Sequence, residues 1–199
     1  MVKKKKYNKK IKNEYLNSLR FVKNSKNFIY IIMIIFFITS LISFFAPTPI
    51  EIQKVIIEFI QDLIKQTEGL SQTELITFIF INNLQSSFLG MIFGIFLGFF
   101  PILTAIINGY ILGYVAKIAV QKSNIFSLWQ LFPHGIFEIP AIFISLGLGI
   151  KIGSSFFEKE TTKTLKKNLL NSIKTFILLI IPLLIIAAII EGTLIFIQK

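Results

Sequence analysis

The chain has 199 residues, 54% of them apolar and only 16% charged, with a mean hydropathy of +0.73. Soluble domains carry about 25% charged residues, so this composition excludes an ordinary soluble domain. The formal net charge is +11, and the absence of cysteine removes disulfides, thiolate metal sites and cysteine nucleophiles.

Residues 1–27 hold nine lysines and one arginine. A basic segment directly before an apolar run stays on the cytoplasmic side, near anionic headgroups. No aromatic platform is interleaved with the lysines, so nucleic acid is not an expected partner. Residues 28–46, "FIYIIMIIFFITSLISFFA", contain no charge. A helix needs about 20 such residues to cross the hydrocarbon layer. The run is longer than a secretory apolar core, and Ala46-Pro47-Thr48 is a poor cleavage site, so it is expected to be a retained helix.

Residues 47–74 carry five acids and two lysines, which suits the outer side. Thr48 as cap, Pro49 in the first turn and Glu51 predict a helix start. Ile52, Ile56, Phe59, Ile60 and Leu63 recur at helical spacing, predicting an amphipathic helix over about 49–68, ended by Gly69. Ser71 and Glu74 then form a capping box, with Leu70 and Leu75 as its hydrophobic staple. Further spans are expected at about 75–99, 101–120, 128–150 and 173–197. The tight "GFFP" at 98–101 separates two helices or kinks one bent pair at Pro101. Lysines in the connector over 151–172 place it in the cytoplasm, whereas Lys117 and Lys122 fall outside, against the charge rule. The expected architecture is an all-α polytopic bundle of about five spans forming a single transmembrane domain over 28–199.

Ionisable residues inside spans are costly and face the bundle interior. His134, Glu138 and Glu191 are the three. His134 and Glu138 are four apart and share a helix face. Asn82, Asn83 and Asn108 supply further polar groups, giving a candidate cluster of six residues. Pro133, Gly135 and Pro140 predict a broken or re-entrant helix there. Ser86, Gly90, Gly94 and Gly98 repeat every four residues, and Gly109 and Gly113 follow in the next span, the small-residue pattern of close helix crossing. The cluster reads first as an interhelical hydrogen-bonded network, with His134 bonded to Glu138 or Asn108. Its alternatives are an ion or proton path and a thin metal set of His134, Glu138 and Glu191. No HExxH or GxSxG motif is present, so neither a catalytic residue nor a metal or cofactor is expected.

"PHGIFEIPA", 133–141, resembles the central motif of the stage II sporulation protein M family. Asn82-Asn83, "NGYILG" at 108–113 and "AAIIEG" at 187–192 resemble other segments of it. The resemblance implies a multi-pass integral membrane protein of the cell membrane. In spore formers the named member works in a complex with peptidoglycan-degrading partners during engulfment. The expected function is therefore a non-enzymatic scaffold or assembly subunit. Its expected partners are the lipid bilayer, further copies of the chain or other membrane proteins. A transporter or channel-like subunit is the alternative, and an intramembrane hydrolase the third reading.

Overall fold

The computed structural model describes the backbone of residues 2–122 and 132–198, and the side chains of 10–122, 135 and 137–197. In chain order its helices are α1 (Val2–Asn24), α2 (Lys26–Phe45), α3 (Ile50–Thr67), α4 (Gln72–Ile92), α5 (Phe99–Lys122), α6 (Phe132–Ser154), α7 (Thr161–Thr175) and α8 (Ile181–Gln198). There is no strand among the described residues. Five helical stretches are long and apolar enough to cross a membrane: α2, α4 with the turn after it, α5, most of α6, and the continuous rod of α7 and α8. The all-α polytopic architecture is therefore present.

Local chemistry explains the helix ends, with two departures from expectation. Thr48 does not cap α3. Gln53 Nε2 instead donates to the Thr48 carbonyl at 2.7 Å, and the helix begins after Pro49. Gly69, at φ +76°, ends α3 as expected. The capping box of α4 is formed, with Ser71 N–H donating to Glu74 Oε2 at 2.8 Å. Then α4 stops at Ile92, short of position 99. A 3-10 turn, Phe93–Ile95, and left-handed Leu97 and Gly98 reverse the chain. Gly98 is thus a turn residue and not the last member of a helical stripe, because only a turn needs its φ of +78°. Pro101 lies in the first turn of α5, where its missing N–H leaves no bond unmade. The 151–172 connector is mostly helix. Its amphipathic α7 buries Asn168 and Ser172 and continues through a π-helical turn, Phe176–Ile180, into α8.

The central helix is α6, packed against α2, α4, α5 and α8. Small residues make this possible: Ala141, Ser145, Gly147 and Gly149 are all buried. A Cβ on Gly149 would lie 3.0 Å from the Gly90 carbonyl oxygen and 3.1 Å from that of Met91, so α4 and α6 touch backbone to backbone. Gly94 meets the Gly149 backbone in the same way, while Gly109 and Gly113 meet Phe36 and Ser40 of α2. Around these crossings Met91, Leu148, Ile152, Phe176, Ile180 and Leu184 form one core, and Ile32, Phe36, Ala105, Phe143 and Leu146 a second.

The expected break in the fourth span does not occur. Pro140 lies inside a continuous α6, on its exposed side. A proline there opens one side of a helix without ending it. Lys117, which the expected topology sets against the charge rule, has a structural task. Its Nζ donates to the Ala46 carbonyl at 2.7 Å, at the C-terminal end of α2, where a cation is favoured.

Candidate functional site

Glu138 reaches the interior from α6, three residues before buried Ala141. Glu191 comes from α8, positioned by its neighbour Gly192, whose missing side chain lets α8 approach Ile76 of α4. Buried Ala187 and Ala188 hold the preceding turn of α8 close to the bundle. The two carboxylates lie together between two cavities. The first, about 280 Å³, is lined by Phe36 of α2, Asn108, Ile111 and Leu112 of α5, and both glutamates. The second, about 320 Å³, is lined by Asn82 and Asn83 of α4, by Ile60, Leu63 and Thr67 of α3, and again by both glutamates.

The predicted cluster is thus brought together in part. Glu138 and Glu191 are shared, Asn108 faces one side, and Asn82 and Asn83 face the other. Gly135 lines the first cavity. The side chains of Pro133 and His134 lie outside the described residues, and so does the expected bond from His134 to Glu138 or Asn108. Pro140 does not line either cavity.

Among the described residues, no hydrogen bond joins these polar groups to a neighbouring helix. Asn108 Nδ2 donates to the Thr104 carbonyl of its own helix at 2.9 Å. Glu191 Oε2 is buried without a hydrogen-bond partner among the described residues. A buried acceptor left unmatched costs about 1–3 kcal/mol, more when charged. The interhelical polar tie of α4 and α6 lies elsewhere, where Ser145 Oγ donates to the Ser87 carbonyl at 2.7 Å.

The α3 wall was partly legible in the sequence, since Ile56, Ile60 and Leu63 belong to the apolar face expected over about 49–68 and the helix is expected to cap the bundle or dock a partner. Gln53, Ile56, Ile60, Leu63 and Thr67 follow helical spacing and turn inward, whereas Ile52 and Phe59 of the expected apolar face remain 41% and 48% exposed. The donor set is oxygen-rich: two carboxylates with asparagine amides on either side. Oxygen ligands of this kind suit protons and hard cations. Among the described residues no trio of histidine, aspartate or glutamate is grouped for a metal ion.

A family model described as stage II sporulation protein M matches residues 28–194. The chain belongs to the stage II sporulation protein M family. The match contains most of α2, all of α3 to α7, most of α8 and both glutamates of the cavity pair. The chain is also 33% identical over 147 residues to the uncharacterized protein MJ0706 of Methanocaldococcus jannaschii. That alignment covers 68% of this chain and 65% of the relative, so the relative extends beyond the matched part. No solved structure matches significantly.

Proposed function

We propose that this stage II sporulation protein M family chain is a non-enzymatic membrane conduit, moving protons or small cations by way of Glu138 and Glu191. The observation that carries this reading is the position of the two carboxylates between two cavities, with Glu191 Oε2 unpartnered among the described residues. Intramembrane acids that serve only as glue bond to the neighbouring helix. An intramembrane acid facing space for water or an ion supports a role in a proton or ion path. The basic N-terminal segment orients α1 toward the cytoplasm, which puts α3 and the second cavity toward the outer side.

The test is flux in proteoliposomes under an imposed proton, sodium or potassium gradient. Wild type should dissipate one of these gradients faster than empty vesicles. Glu138→Gln and Glu191→Gln should insert and fold but fall to the empty-vesicle rate. A wild type that matches empty vesicles for all three ions removes the reading. A scaffold role is the second reading. It is favoured by the outward apolar residues of α3, among them Ile50 and Val55 at 65–66% exposure. Under it, the two glutamine variants lose association with a partner and leave flux unaffected.

A further inference from the structure

The basic helix α1 does not project away from the bundle. From Ser25 toward residue 10, its neighbours shift steadily along α6, α7 and the start of the apolar rod. Ser25 Oγ accepts from Lys151 Nζ at 2.9 Å, and the Phe21 ring lies 4.2 Å from the same ammonium. Glu14 pairs with Lys174 at 3.0 Å. Lys10 and Ile11 then face Ile177 and Leu178 across an open groove of about 450 Å³. Lys174 is the last charged residue before the uncharged run 175–190. The groove therefore straddles the level where the chain passes from polar to apolar, which is where headgroups meet acyl chains.

The lining divides by chemistry. Lys10, Glu14 and Lys174 form one end, and Ile11, Ile177 and Leu178 the other. Glu14 answers only one of the two lysines: among the described residues no carboxylate lies within ion-pair distance of Lys10. The adjoining α1 face stays apolar and open, with Tyr15, Leu16 and Leu19 40–44% exposed. The α1 sequence carries eight lysines and one arginine against a single glutamate. A helix with such a face and such charge lies in the interface of an anionic leaflet.

We propose that this groove is a binding site for one anionic phospholipid of the leaflet on the N-terminal side. Its phosphate lies between Lys10 and Lys174, and one acyl chain runs along Ile11, Ile177 and Leu178. The positive excess selects an anionic headgroup over a zwitterionic one, and the apolar end selects a lipid over a free phosphate. Glu14 opposes the headgroup and sets the strength of binding by competing for Lys174.

The test is native mass spectrometry of the purified full chain after exposure to equal amounts of phosphatidylglycerol and phosphatidylcholine. Wild type should retain phosphatidylglycerol preferentially. Lys10→Gln and Lys174→Gln should each lower retention about fivefold, the effect of one lysine near a headgroup. Glu14→Gln should raise it, which a purely structural Glu14–Lys174 bridge would not do. Lys163→Gln, an equal loss of charge outside the groove, should leave retention unchanged. Glycerol phosphate should not displace the lipid. If Lys174→Gln fails to fold, Ile177→Gln replaces it, since that side chain is 56% exposed and its loss removes the acyl contact alone. Equal loss in Lys163→Gln, displacement by glycerol phosphate, or absence of headgroup preference would each overturn the assignment. So would a lipid-free dimer that Ile177→Gln splits, which would give the groove to a second copy.

Discussion

Replacing Gly113 by alanine tests the α2–α5 crossing, because two opposing effects give the change a sign. In an uncrowded helix interior, alanine is more favourable than glycine by about 1 kcal/mol. At Gly113 the added Cβ would fall 2.8 Å from the Ser40 carbonyl carbon and 2.9 Å from its Cα, and still closer to its carbonyl oxygen. Ordinary contact begins near 3.4 Å, so the helices must part by about half an ångström or more. The obstacle is backbone, which cannot rotate aside as a side chain does. Overpacking of this kind costs about 1–3 kcal/mol, and a backbone obstacle puts Gly113 at the upper end. The net expectation is a loss of about 1–2 kcal/mol. For a chain of this length that lowers the unfolding midpoint by roughly 2–8 °C. The assay is thermal unfolding of the purified protein in one detergent, beside wild type. A midpoint equal to or above wild type would refute the close crossing, since helix propensity would then act unopposed.

Two further perturbations have defined outcomes. Ser71→Ala removes half of the capping box and should cost about 1 kcal/mol, read as a lower midpoint and faster amide exchange in the first turn of α4. Lys117→Met removes the charged donor from the Ala46 carbonyl and should cost about 1 kcal/mol, allowing for its partial exposure. Lys122→Met, an exposed lysine of the same helix, should change nothing measurable.

Much of the fold was legible because membrane helices announce themselves locally. The uncharged run from Phe28, the Ser71–Glu74 box and Gly69 each act within a few residues, and each is found where expected. Errors arose where local spacing and tertiary demand diverge. Gly98 continues the four-residue rhythm of Gly90 and Gly94, yet the helix has already ended, and rhythm alone cannot reveal that. Thr48 has the right chemistry for a cap, but Gln53 reaches back to its carbonyl from within the helix. Lys117 runs against the charge rule in the expected topology, and its bond to the Ala46 carbonyl, 71 positions away, gives it a structural task that local spacing does not reveal.

The candidate site was half legible. An acid inside an apolar run is visible to any reader, so Glu138 and Glu191 stood out. That they share two cavities, with Asn108 on one side and Asn82 and Asn83 on the other, depends on how α4, α5, α6 and α8 cross. The cover supplied by α3 follows from the turn at Gly69, which folds the amphipathic helix back toward the bundle. The groove beside α1 was illegible, because it joins residue 10 to residue 178 across nearly the whole chain.

The central claim is that Glu138 and Glu191 are kept for use and not for adhesion. The most direct measurement is the unfolding midpoint of Glu191→Gln in detergent. Because Oε2 has no partner to lose among the described residues, the midpoint should stay within about 2 °C of wild type or rise, as expected when a buried unmatched carboxylate is neutralised. A fall of roughly 6 °C or more would mean that the carboxylate holds the bundle together, and would contradict the account.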